Sequence, residues 1–255
     1  IKQILKFFMS ILEEIGFEKN KVDKKKLSEL HKIKKLITDI YLRDNKKINF
    51  KNIEDMHLNK DLTKDLNEFR LKMIVKMNKI KNIQSRLFNI FNEELFSIFG
   101  KDIVAQKNIN LVIQKPYDKN RAPLHRDSPP NSPFEVVVWI PLVDCKKTMN
   151  MYLFNHKKIN KTLKFISKEN LNEGDTERFA KDNGELIDVK FGEYIIFWSK
   201  IFHYIPINQE NKTRWSLNNR YKNTFSPYGS KGYLDYFEPI SYSNVSNLAL
   251  KYHDE

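Results

Sequence analysis

His125 and Asp127 stand two residues apart in the run LHRDS (Leu124 to Ser128), just before FEVVVWIPLV, the most apolar stretch of the chain. On an extended segment, residues two apart share a side, so an imidazole nitrogen and a carboxylate oxygen can reach one metal ion while Arg126 faces away. The tripeptide alone arises by chance in many chains and reads as well as a polar turn before Pro129 and Pro130. A third donor changes the balance. His203 follows the strand-like GEYIIFW, 78 residues past His125, far enough for intervening strands to fold back and set it beside the first pair. Two imidazoles and one carboxylate on one side of a metal leave the other side open, which suits iron(II) that must also admit a second ligand and O2. Zinc accepts the same donors.

Eleven residues past His203 comes Arg214, in TRWSLNNRY. If this segment is a strand, Arg214 and Ser216 share a face, and a guanidinium with a hydroxyl makes a charge-assisted clamp for the far carboxylate of a small diacid. Arg220 lies on the same face six residues on, and competes for that carboxylate, for an anionic part of a substrate, or for a structural salt bridge.

The ordered set of H-x-D, distal His and Arg at plus eleven resembles the Fe(II)/2-oxoglutarate-dependent oxygenases, and its spacing is most similar to the phytanoyl-CoA dioxygenase-like branch. The resemblance spans roughly residues 108 to 239 and rests on LHRDSPP, VVVWIPLVD, FGEYIIFWSKIFHYIPIN and TRWSLNNRYKN. SPFEVVVWIPLVDCKKTMNMYLF and NNRYKNTFSPYGSKGYLDYFEPI are also similar to members found with bacterial surface-carbohydrate biosynthesis. It implies a double-stranded β-helix, a jelly-roll or cupin-like core. Fe(II) would be held by His125, Asp127 and His203, with 2-oxoglutarate as co-substrate, its distal carboxylate on Arg214 and Ser216. It implies O2 as the oxidant and hydroxylation of a small molecule such as a sugar, nucleotide-sugar or glycan precursor. Gln114, at the end of INLVIQ, could donate to 2-oxoglutarate or substrate, or be an ordinary exposed residue. Trp139, Asn150, Tyr152 and Asn208 are weaker candidates for substrate contact, each with a core or loop-capping role as its alternative.

The elements that must position these groups divide near Gly100. Before it, apolar residues recur at helical spacing and no proline occurs, which predicts helices over about 1 to 15, 26 to 41 and 62 to 96, the last capped by Asp61 or Thr63 and stopped at Gly100. After it, short period-two runs predict strands at 110 to 114, 134 to 142, 150 to 154, 162 to 166, 185 to 189, 193 to 198 and 214 to 223, with no helices between them and hence a sandwich or barrel. The expected architecture is α+β: a helical region, 1 to 100, integral to the same domain as a core at 101 to 255. Its tail, FSPYGSKGYLDYFEP, is either a lid or a segment packed across the barrel or a second subunit. The helices could buttress the barrel, build part of the pocket or form a homodimer interface.

Composition narrows the function classes. The chain of 255 residues is 40% hydrophobic and 13% aromatic with mean hydropathy -0.59, which excludes disorder and a transmembrane helix. The segment 1 to 17 reads as an amphipathic helix rather than a targeting sequence. The single Cys145 excludes an internal disulfide and fits a reducing compartment, taken as the cytoplasm. A formal charge of +13 raises nucleic acid as a partner, but the lysines alternate with Asp and Glu, and an anionic substrate drawn by a positive field explains the charge as well. Three rivals stay open. Arg214 and Arg220 form the R-x5-R of AlkB-type nucleic-acid dealkylases, although there the arginines lie further from the distal His. A non-catalytic jelly-roll carbohydrate-binding module would let His125 and Asp127 point away from His203. A cupin-type zinc isomerase would have no use for Arg214.

Overall fold

The computed structural model describes residues 11–44, 52–59, 65–128 and 132–253. In chain order the elements are α1 (Ile11–Ile15), β1 (Phe17–Lys21), α2 (Lys24–Asp44), a 3-10 turn (Ile53–Leu58), α3 (Leu66–Asn78) and α4 (Ile83–Phe99). There follow β2 (Ile103–Gln106), β3 (Asn110–Gln114), β4 (Val136–Pro141), β5 (Met151–Leu153), α5 (Ile159–Ile166), α6 (Glu173–Asn183) and β6 (Glu185–Ile187). The chain closes with β7 (Glu193–Trp198), β8 (His203–Tyr204), β9 (Arg214–Asn223), β10 (Phe237–Ser241) and α7 (Asn244–His253).

The strands form two antiparallel sheets. The larger has seven strands, ordered β1-β7-β4-β9-β2-β10 with β3 also on β9; the smaller is β6-β5-β8. β9 is the organising element, and its period-two alternation decides what each side chain meets. Trp215, Leu217 and Tyr221 point outward to the helices. Trp215 meets Tyr41 of α2 at 5.7 Å and Phe69 of α3 at 6.3 Å, both edge to face, and donates its indole N–H to the Ile53 carbonyl at 2.8 Å. Such aromatic pairs each contribute roughly 0.5–1.5 kcal/mol beyond the area they bury. The intervening residues, Arg214, Ser216, Asn218 and Arg220, therefore face the other way, toward the small sheet.

Four expectations need correcting. The helical run at 62 to 96 is two helices, broken where Asn82 takes a left-handed conformation (φ 59°) that asparagine tolerates better than most residues. Asp65 caps the first of them, accepting from the Glu68 N–H at 2.9 Å; Asp61 and Thr63, like residues 1 to 10, lie outside the described residues. The strand expected at 162 to 166 belongs to α5: Thr162 donates to the Lys158 carbonyl one turn back, and Phe165 stacks on Phe179 of α6 at 3.9 Å. Five residues are too few to separate a period of two from 3.6. Helices α5 and α6 thus intervene between strands, contrary to the all-β reading of the second half. Finally, the N-terminal hundred residues are not purely helical, because β1 pairs with β7 along the edge of the large sheet. Its sequence, FEKNK, buries only Phe17 and reads as a loop, as charged edge strands do.

Candidate metal centre

The loop that carries His125 and Asp127 is pinned to the turn before β8. His125 and His203 exchange backbone hydrogen bonds at 3.1 and 2.8 Å, and the Ser128 N–H donates to the Ser199 carbonyl at 3.0 Å. This bridge extends the small sheet by one residue and sets the two imidazole rings 4.2 Å apart. Donor atoms of His125, Asp127 and His203 all lie within 4.8 Å of one another. Arg126 turns away, its guanidinium 5.5 Å above the Phe202 ring, in a separate apolar cluster with Leu124, Phe154 and Tyr204.

The donor set is oriented by its neighbours. His125 Nδ1 lies 2.7 Å from the Pro123 carbonyl, which can only accept, so Nδ1 carries the proton and Nε2 keeps its lone pair for a metal. Nε2 in turn sits 3.7 Å from Asp127 Oδ1. Arg220 Nη2 donates to Asp127 Oδ2 at 2.6 Å, which occupies one carboxylate oxygen and leaves the other for the metal. Burial opposes ionisation of Asp127, but His203 and Arg220 together outweigh it and hold the carboxyl below its usual range. His203 is fully buried; burial, and then the adjacent His125, push its pKa down to about 4, so it presents a neutral imidazole. Two imidazole nitrogens and a one-armed carboxylate are a donor set that fits iron(II).

All three line a cavity of about 560 Å³ between the two sheets, with Val137 and Trp139 of β4, Phe197 of β7 and Met151 of β5 among its walls. Arg214, Asn218 and Arg220 line it from β9, and Gln114 from β3. Arg214 is 1% exposed. Its Nη1 donates to the Met149 carbonyl at 3.1 Å, its Nε has no partner, and among the described residues no carboxylate pairs with it. Burial lowers its pKa to about 10, still far above neutrality. Ser216, on the same strand face, has a buried hydroxyl with no hydrogen bond. Gln114 sits opposite Arg214 in the β3–β9 register; its amide nitrogen donates one N–H to the Pro206 carbonyl at 2.9 Å, and its buried amide oxygen has no hydrogen-bond partner among the described residues.

The weaker candidates separate. Trp139 lines the cavity. Asn150 does not: it donates to Asp188 at 2.8 Å and accepts from the Val189 N–H, tying β5 to the segment after β6. Tyr152 packs near Tyr204 with ring centroids 6.2 Å apart and lies off the cavity. Asn208 is spent on loop capping, with bonds to Gln114, Lys212 and Glu210. No residue of the tail from 225 to 239 lines the cavity. The tail packs across the sheet instead: β10 pairs with β2, Pro227 accepts from Ser132 and Lys222, and the Tyr236 hydroxyl meets Arg220 at 3.3 Å.

Among the lining residues that escaped the sequence reading are Asn218, Arg121 and Arg70. Asn218 shares the β9 face with Arg214 and Arg220, and the period-two count signalled it. Arg121 carried no such signal; it bonds Glu173 at the start of α6 and, at 3.0 Å, the hydroxyl of Tyr204. Arg70 of α3, paired with Asp118, also lines the cavity beside Asn67, Leu71 and Ile74, so α3 builds part of the pocket.

Arg220 supports the metal carboxylate through a geometry that also includes Gln106 at 2.8 Å. Replacing it with glutamine should lower metal affinity by roughly 10–100-fold, the usual effect of losing a partner behind a ligand. Isothermal titration of Mn(II) into the two proteins checks this, and equal affinities would remove Arg220 from that role.

No family model matches the chain, and no curated protein matches it either. Solved structures do. The non-haem monooxygenase ThoJ in its nickel complex superposes with a TM-score of 0.53 at 14% identity, over 91% of this chain and 82% of that one. EvdMO1 gives 0.52 at 16% identity, over 84% of this chain and 48% of that one. HygX from Streptomyces hygroscopicus, with nickel and 2-oxoglutarate bound, gives 0.50 at 8% identity, over 89% and 88%. At these identities the likeness is one of fold: these structures share the mixed helical and antiparallel-sheet architecture of this chain.

Proposed function

We propose that the chain is an Fe(II)- and 2-oxoglutarate-dependent oxygenase that oxidises, by hydroxylation, a C–H bond of a small molecule. The observation that carries the reading is Arg214, a buried guanidinium with no carboxylate, beside the unpartnered Ser216 hydroxyl and in one cavity with two histidines and an aspartate. A buried cation of this kind calls for an anion from outside the chain. The 2-oxoglutarate bound in the HygX structure supports assigning that anion to the far carboxylate of 2-oxoglutarate. Under this reading the two sheets are the faces of a double-stranded β-helix, the helices belong to the same domain, and the interval from His203 to Arg214 favours the phytanoyl-CoA dioxygenase-like branch.

Bound together, iron and 2-oxoglutarate supply oxidation of a substrate C–H by O2, with release of succinate and CO2. The chain supplies the rest. His125, Asp127 and His203 ligate; Arg220 and the Pro123 carbonyl fix which donor atoms they offer. Arg214 and Ser216 anchor the co-substrate. Val137, Trp139, Met151 and Phe197 form apolar walls that exclude water around the reacting groups. A binding module without turnover gives no reason for these three ligands to meet, and a zinc isomerase gives none for Arg214.

Adding Fe(II) and 2-oxoglutarate without oxygen should produce a visible charge-transfer band that neither gives alone. If wild-type protein shows no such band, the assignment is wrong.

A further inference from the structure

The net charge of +13 draws anions toward the whole molecule, but the lining of the cavity decides what is held there. Its cations are compensated one by one. Arg70 pairs with Asp118 and spends its other nitrogens on the Ile113 carbonyl and Asn67. Arg121 pairs with Glu173 and Tyr204. Arg220 pairs with Asp127. Among the described residues the lining contains no lysine and no glutamate. Among them Arg214 alone keeps a charge with no paired carboxylate, and on the reading above the co-substrate takes it. A phosphate or carboxylate entering past Arg70 and Arg121 would meet guanidiniums already paired with Asp118 and Glu173, so their attraction for it is offset.

What is left over is neutral and polar. The Asn218 carboxamide makes no hydrogen bond among the described residues, and its oxygen is buried in the wall beside Trp139, its cross-strand neighbour on β4. At the mouth, Asn120 donates to Asn67 at 2.7 Å, and both carboxamides line the cavity with Leu71 and Ile74. Carboxamides next to apolar walls hold a ligand that has hydroxyl or amide groups on an apolar frame, since each amide both donates and accepts.

We propose that the moiety oxidised is uncharged and amphiphilic, a hydroxylated or amide-bearing ring or chain, with Asn218 as its hydrogen-bonding contact in the depth of the cavity and Asn67 and Asn120 at the mouth. The inference rests on the iron and 2-oxoglutarate reading, and it sets aside the anionic substrate that the overall charge suggests.

The test loads the protein with substoichiometric Mn(II) and saturating 2-oxoglutarate, and reads the paramagnetic broadening of probe protons by NMR. Matched probes are methyl glucoside against glucose 6-phosphate, and uridine against uridine 5′-monophosphate. At least one uncharged member should broaden several-fold more than its phosphorylated partner. Asn218→Leu should reduce that broadening several-fold while leaving 2-oxoglutarate affinity within about two-fold. Glu173→Gln, which frees Arg121, should raise broadening of the phosphorylated members. Stronger broadening by the phosphorylated probes in wild-type protein, or none by the uncharged ones, overturns the proposal. Failure of 2-oxoglutarate to bind the Mn(II) protein, measured in the same samples, overturns the underlying reading instead.

Discussion

Replacing Arg214 with methionine should abolish useful 2-oxoglutarate binding and at the same time make the ligand-free protein more stable. Both effects follow from one fact: the guanidinium is buried, holds one backbone carbonyl, and has no counter-charge among the described residues. Hydrogen bonds to charged groups are worth roughly 1.5–3 kcal/mol each, and a bidentate pair lost with its charge corresponds to about 10²–10⁴-fold in the dissociation constant. In the absence of the diacid the same charge destabilises the fold, because nothing repays its desolvation. Methionine fills a similar unbranched volume, so ligand-free Arg214→Met should gain about 1–2 kcal/mol, a rise in Tm of roughly 2–8 °C. Wild-type protein should rise in Tm when 2-oxoglutarate and metal are added, and the variant should not. Arg214→Lys keeps the charge but loses the planar fork, and should weaken binding by about ten-fold. Unchanged affinity in Arg214→Met would move the anchor to Arg220.

How much of this was legible in the sequence depends on how local each signal is. β3, β7 and β9 fall on the residues that period two marks, because each is a half-buried or buried strand bounded by turn residues. The same count put Arg214, Ser216 and Arg220 on one face. It could not say which arginine meets which acid, because the Asp127 to Arg220 pair joins a strand to a loop across 93 positions of sequence. Trp215 falls on the opposite face of β9 by the same count, but its partners Tyr41 and Phe69 come from helices whose docking no pattern in the chain encodes. β8 is two residues long, too short for any periodicity, yet it carries His203. Asn150 and Asn208 looked like site residues because polar side chains on strand ends are exposed to ligands as often as to backbone. Here Val189, Lys212 and Glu210 supply backbone groups that satisfy them first. The surplus of lysine is a property of the whole chain, whereas three of the cavity arginines, Arg70, Arg121 and Arg220, are each paired with an acid that composition cannot assign to them.

Asp127→Asn should remove metal binding and destabilise the fold, and a second substitution should restore only the stability. The carboxylate does two things at once: Oδ1 faces the metal position beside His125 Nε2, and Oδ2 accepts from Arg220. Asparagine keeps the shape but brings no charge, so the donor set falls to two neutral imidazoles and affinity for Mn(II) or Fe(II) should drop by at least about 10³-fold. Arg220 is left as a buried cation whose side chain is 12% exposed, hydrogen-bonded to the neutral Gln106 and Tyr236 and without its paired carboxylate. Breaking a buried pair on one side costs about 3–5 kcal/mol, and those two remaining bonds bring the expected loss to the lower end, about 3 kcal/mol. Asp127→Asn with Arg220→Met removes the stranded charge and should recover most of that loss, because neighbouring groups in one pair are not additive. Urea titration gives the stability of the four proteins of the cycle, and Mn(II) titration gives their metal affinity. If the double variant is as unstable as Asp127→Asn, the pair is not coupled as the geometry requires; if Asp127→Asn still binds metal like wild type, Asp127 is not a ligand.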